Sequence, residues 1–205
     1  GDSGDGTVRL AAFYNLSFDD SGNPGRTFTL NNAIVVGNDL TITGGTLDVS
    51  GASHQITLAG DWSNSDGFDE QSGLVLINGN SMLLSDETFN NLTISAGFSL
   101  NVNGQALSVT GSFELPNTSV LYRTGGASES APTDTDSGLI VYQGAAGGTI
   151  ETYAGTDYYN LEVAGSGSFS FDGDPLIANT LEISGGTLSG GARIITIYRD
   201  FNQSG

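Results

Sequence analysis

Along most of this chain apolar and polar residues alternate in short runs, and Gly, Asn, Asp and Ser separate one run from the next. Alternation with period two puts one set of side chains on one face of an extended backbone, whereas a helix repeats about every 3.6 residues. Leu40-Thr41-Ile42-Thr43, Thr46-Leu47-Asp48-Val49, Gln55-Ile56-Thr57-Leu58, Leu107-Ser108-Val109, Leu181-Glu182-Ile183 and Ile195-Thr196-Ile197 therefore read as strands. Gly44-Gly45, Gly51, Gly60, Gly111, Gly185-Gly186 and Gly190-Gly191 lie between runs, where turns need backbone angles that other residues resist. The pattern predicts an all-β fold.

The runs also repeat. Phe13-Tyr14-Asn15-Leu16-Ser17-Phe18 recurs as Phe89-Asn90-Asn91-Leu92-Thr93-Ile94 and as Tyr158-Tyr159-Asn160-Leu161-Glu162-Val163, so three cycles start near residues 13, 89 and 158. The first and third match furthest: Leu40-Thr41-Ile42-Thr43-Gly44-Gly45-Thr46-Leu47 corresponds to Leu181-Glu182-Ile183-Ser184-Gly185-Gly186-Thr187-Leu188, and Asp61-Trp62 to Asp200-Phe201. Apolar positions persist while their neighbours drift, as inward and outward sites on one strand do. The middle cycle is shorter and reads as lacking about one coil. Residues 124–137, polar and without alternation, predict a protruding loop, and Asp19 to Gly25 a second one. The whole of residues 1–205 reads as a single β-solenoid segment. Roughly 20 residues per coil make about ten coils, stacked ~4.8 Å apart along an axis of about 50 Å. Tandem β-sandwich repeats are the competing architecture; they require each cycle to close its own antiparallel core.

Composition narrows the function. Charged residues make up 14%, against a usual ~25%, and 23 acids face five arginines and no lysine for a formal charge of -18. A phosphate backbone or anionic lipid surface is repelled by such a chain, so neither nucleic acid nor membrane is an expected partner. No apolar run approaches the ~20 residues of a spanning helix. Without cysteine, stability comes from apolar burial and backbone hydrogen bonding. The chain opens on Gly1-Asp2-Ser3 and stops inside a unit, at Asp200 to Gly205, that Thr7-Val8-Arg9-Leu10 of a like sequence would complete; continuation into similar sequence, covalent or by head-to-tail assembly, is the expectation.

The three aromatic-x-Asn-Leu units, the Leu-x-Ile-x-Gly-Gly-Thr-Leu units at Leu40 and Leu181, and Gly60-Asp61-Trp62-Ser63-Asn64 resemble the β-strand-repeat surface proteins of bacteria, similar to filamentous-haemagglutinin-like and autotransporter-like stalks. The resemblance covers most of the chain. It implies a right-handed parallel β-helix serving as a structural or adhesive part of an exported, cell-surface protein, with copies of itself, surface glycans or host proteins as partners. No catalytic residues come with it.

Candidate chemistry is sparse. His54 is the one imidazole, which leaves a Ser-His-Asp site hard to assemble. Paired carboxylates raise a carbohydrate-active β-helix, glycan-binding or polysaccharide-cleaving, as the alternative function, but sequence adjacency does not place two carboxyls ~5 to 9.5 Å apart across a glycosidic bond. Solvated turn acids are the plainer reading, and no enzyme is expected. Calcium takes carboxylate and carbonyl oxygens from turns, which makes Asp66, Asp69 and Glu70, and Asp172 with Asp174, its candidate ligands, although neither group has EF-hand spacing. Tyr153, Tyr158 and Tyr159 form a cluster that could stack on sugar rings, while Trp62, Phe13 and Phe89 read as inward corner fillers.

Overall fold

In the computed structural model, which describes residues 5–20, 22, 25–125, 130–153 and 155–204, each alternating run is a short strand paired in parallel with the run one coil away. The first coil holds β1 (Gly6–Val8), β2 (Ala12–Phe13) and β3 (Leu16–Phe18); the second β4 (Thr27–Leu30), β5 (Ile34–Val36) and β6 (Leu40–Ile42); the third β7 (Thr46–Asp48), β8 (Ile56–Leu58) and β9 (Trp62–Asn64). The fourth has β10 (Gly67–Asp69), β11 (Leu74–Ile77) and β12 (Asn80–Met82); the fifth β13 (Glu87–Phe89), β14 (Asn91–Ile94) and β15 (Ser99–Asn101); the sixth β16 (Leu107–Val109), β17 (Phe113–Glu114) and β18 (Val120–Arg123). Among the described residues only β19 (Leu139–Tyr142) marks the seventh. The last three coils carry β20 (Gly147–Ile150) and β21 (Tyr158–Val163), β22 (Ser168–Phe171) and β23 (Leu176–Ile183), then β24 (Thr187–Ser189), β25 (Thr196–Ile197) and β26 (Asp200–Gln203).

This is an all-β solenoid of about ten turns, with no helix among the described residues. Every pairing is parallel and joins successive coils, which no set of closed antiparallel sandwiches would produce. The coils have three faces. Face two stacks Ile34, Ile56, Val75, Leu92 and Phe113 in one inward column, and face three stacks Leu16, Leu40 and Trp62. Such columns make one continuous core from Phe18 to Leu181. Each fully buried side chain contributes about 1.5–3 kcal/mol, so the stack is held mainly by its columns.

Both repeated motifs are corner devices. Asn15, Asn91 and Asn160 of the three aromatic-x-Asn-Leu units each bond to another coil: the Asn15 side-chain oxygen accepts the Asp39 N–H at 3.1 Å, that of Asn91 accepts the Ser112 N–H at 3.0 Å, and the Asn160 amide donates to the Gly138 carbonyl at 2.8 Å. In the Gly-Gly units the second glycine is left-handed, with φ 83° at Gly45 and 62° at Gly186. A Cβ on Gly186 would lie 2.2 Å from the Gly165 carbonyl oxygen. Only glycine turns the chain from face three to face one that close to the neighbouring coil.

Two expectations need correction. No coil is missing from the middle cycle: β12, β15, β18 and β19 follow one another without a gap on face three. The cycle is instead out of phase, because Phe89 and Leu92 turn from face one to face two, whereas Phe13 with Leu16 and Tyr158 with Leu161 turn from face two to face three. A corner motif can serve at any corner. The described part of residues 124–137 does not protrude either. Ser130 N–H bonds the Leu107 carbonyl at 2.8 Å, Thr133 N–H that of Phe113 at 2.8 Å, and the Ser137 hydroxyl that of Leu115 at 3.0 Å, which lays the segment on the sixth coil. Its polar side chains replace strand pairing. Residues 126–129 of that stretch, and 21, 23 and 24 of the other expected loop, lie outside the described residues.

Candidate functional site

Face one is the interrupted face. Its strands pair as β1-β4-β7-β10, then β13-β16, then β20-β22-β24, while face three is continuous from β12 to β26 and joins β9 through a Trp62–Leu83 bridge. At the first interruption a cleft of about 580 Å³ opens between β10 and β13, lined by Asp66, Phe68, Asp86, Glu87, Thr88 and Ser108 among others. Three rings fill the space beneath it. Trp62 meets Phe68 at 4.9 Å and Phe89 at 5.0 Å, both edge to face.

Glu87 is an inward residue of β13, since it alternates with exposed Thr88 and buried Phe89 and pairs with buried Leu107. One carboxylate oxygen accepts the Trp62 indole N–H at 2.6 Å and the Asn64 amide at 2.8 Å, and the other accepts the Thr88 N–H at 3.0 Å. Burial pushes this carboxyl above the usual carboxylate range and the charge of Glu70 pushes the same way, although the hydrogen bonds from Asn64, Thr88 and Trp62 oppose it. The sequence reading missed Glu87. Counting the alternation back from Phe89 would have marked an acid on the inner side.

The other acids do different work. At corners the backbone cannot continue its ladder, and a side-chain oxygen takes the place of the missing carbonyl. Asp5, Asp39, Asp61, Asp66, Asp86, Asp157, Asp172 and Asp174 each accept a backbone N–H from an adjacent coil. Of the calcium candidates, Asp66 binds the Gly45 N–H at 2.8 Å, Asp172 binds both the N–H and hydroxyl of Thr152, and Asp174 binds the Ile194 N–H at 3.1 Å. Asp69 is exposed at the end of β10, and half-buried Glu70 follows it. Among the described residues no group of three or more His, Cys, Asp or Glu is placed to hold a metal ion.

The tyrosines gather around a cation. Arg123, fully buried at the end of β18, donates to the Tyr153 hydroxyl at 2.7 Å, to Tyr142 at 3.4 Å and to the Ser130 carbonyl. Tyr158 is buried, and its hydroxyl donates to the Glu151 carbonyl. Desolvation raises the Tyr153 phenol to about 12, against the pull of Arg123, and pushes Tyr158 well above its ordinary value. Half-buried Tyr153 and buried Tyr158 thus have interior partners, and Tyr159 is half-buried on β21.

In comparisons with known proteins, no family model, no curated protein and no solved structure matches this chain.

Proposed function

We propose that this solenoid is a structural and adhesive rod, part of an exported surface protein or extracellular filament, and that it lengthens by coil-on-coil stacking. What supports this reading is a parallel stack of about ten coils whose inward columns form one continuous apolar core, a form that further coils of the same kind, in the same chain or in another copy, can extend. Strand edges of parallel coils have a direction, so the last coil of one copy is complementary to the first coil of the next. Contacts of this kind are heterologous and build open filaments. Within the chain Trp62 is covered by Leu83; Phe201, in the matching position, would be covered by Leu16 of the next copy.

A non-catalytic reading of the acidic cleft is supported by Glu87, both of whose oxygens are occupied by Trp62, Asn64 and Thr88. Sedimentation velocity over a range of concentrations, with electron microscopy, tests the rod. Particles whose lengths are multiples of about 50 Å are expected, and Phe201→Asp with Asn202→Pro on β26 should reduce them to single units while Val35→Asp on the side wall does not. A monomer at every concentration would overturn assembly by stacking.

A further inference from the structure

The side of the rod offers a second surface, on the continuous face three. Residues at alternate positions there form two axial rows set by register, Asn80, Ser99, Val120, Leu139 and Asn160 in one, Met82, Asn101, Tyr122, Val141 and Glu162 in the other, of which Val141 is buried. A pocket of about 240 Å³ opens beside them, lined among others by Asn80, Met82, Asn101, Tyr122 and Gln143. Asp61 is the one charged side chain among its lining residues, and one of its carboxylate oxygens accepts the Met82 N–H at 2.8 Å.

The polar groups of this pocket are unusually idle. Asn80 and Asn101 use their side-chain oxygens locally, for the Ser99 hydroxyl at 3.1 Å and the Asn103 N–H at 2.9 Å, which leaves both NH₂ groups available. Among the described residues, neither the Gln143 amide nor the Tyr122 hydroxyl has a protein partner. Asn80 is exposed, while Asn101, Gln143 and Tyr122 are half-buried; amides and a phenol set around one pocket suit a ligand that both donates and accepts, and Tyr122 adds an apolar ring with a polar tip. A peptide strand finds little room to add, because β15, β18 and β19 are paired on both edges and the outer edge of β12 meets the Asp61 carboxylate at the Met82 N–H and the Trp62–Leu83 bridge beside it. An anionic polymer meets a net charge of -18. The remaining chemistry is a neutral polyol. The pocket is smaller than the roughly 300 Å³ at which sites for drug-sized ligands begin, which suits a single sugar ring.

We propose that face three binds a neutral glycan here, one sugar ring resting against Tyr122 with its hydroxyls bonded by Asn80, Asn101 and Gln143. The inference supplies a partner for the adhesive part of the function above, and its readout does not depend on assembly. The test is titration of dilute single units with neutral cello-, manno-, xylo- and chito-oligosaccharides, followed by NMR shifts of the Asn and Gln side-chain amides. At least one series should bind, with the shifts centred on Asn80, Asn101 and Gln143. Tyr122→Ala should weaken it by about tenfold or more, Gln143→Ala should weaken it several-fold, and Tyr14→Ala should leave it unchanged. The affinity should also be independent of salt, as no charge pairs form. Absence of binding across the panel, retention of affinity in both pocket variants, or a steep salt dependence would each overturn the proposal, whether or not the rods assemble.

Discussion

The inward carboxylate of Glu87 provides the sharpest test of how the interrupted face is held. Trp62 is only 1% exposed, and its indole N–H has Glu87 as its partner at 2.6 Å. Glu87→Ala leaves that donor unpaired in the interior, which costs about 1–3 kcal/mol. Glu87→Gln is different, because the amide oxygen can still accept from Trp62 and Asn64 while the buried charge disappears. The folded-state pKa of Glu87 lies above the usual carboxylate range because of burial. Folding therefore favours the protonated form, and the stabilising contribution of that form is complete below the unfolded pKa and lost as pH rises through the folded one. Gln does not titrate. Relative to wild type, the Gln variant should be near parity around pH 4 and gain as pH rises to neutrality, with about 1.4 kcal/mol for each tenfold difference in acidity between folded and unfolded chains. Urea denaturation of wild type and both variants across that range measures it, and comparison at each pH cancels the titration of the other acids. A Gln variant that is less stable than wild type at neutral pH, with the deficit vanishing in acid, would mean that the charge of Glu87 stabilises the fold, and the reasoning would be refuted.

Ser81 is 4% exposed, pairs with buried Leu100 on face three, and its hydroxyl has no hydrogen-bond partner among the described residues; Ser81→Ala should raise stability by about 1 kcal/mol, read as a higher urea midpoint. The Tyr153 phenol, pushed up to about 12, should ionise late in an absorbance titration at alkaline pH. Since its folded pKa is raised, the chain should lose stability as pH climbs from the ordinary phenol value near 10 towards about 12, and Tyr153→Phe should blunt that loss. Gly186→Ala, at φ 62° and 2.2 Å from a carbonyl oxygen, should cost more than about 1 kcal/mol by the same denaturation assay. Because Asp66, Asp172 and Asp174 already accept backbone N–H groups, added calcium and its chelation should leave the thermal midpoint in place; an upward shift with calcium would show a site that binds the folded chain.

The sequence by itself determined the strands, the turns and the inner side of each strand, since period-two alternation and left-handed glycines are local properties. Leu40, Ile56 and Leu181 are buried as their alternation requires, and the Gly44-Gly45 and Gly185-Gly186 turns sit at matching corners. Trp62, Phe89 and Tyr158 fill the interior in the same way. The tertiary structure alone decided which residues lie one coil apart. That register depends on the summed length of three corners, and a corner motif such as Phe89-Asn90-Asn91-Leu92 has the same local geometry on any face, so its phase is invisible until the coils stack. Stacking also assigned the acids. Asp66, Asp172 and Asp174 look like exposed turn carboxylates in the sequence and become rungs between coils, because the N–H groups they serve lie about twenty residues away. Glu87 acquires its buried place for the same reason, when the gap between β10 and β13 brings it beneath the cleft and against Trp62.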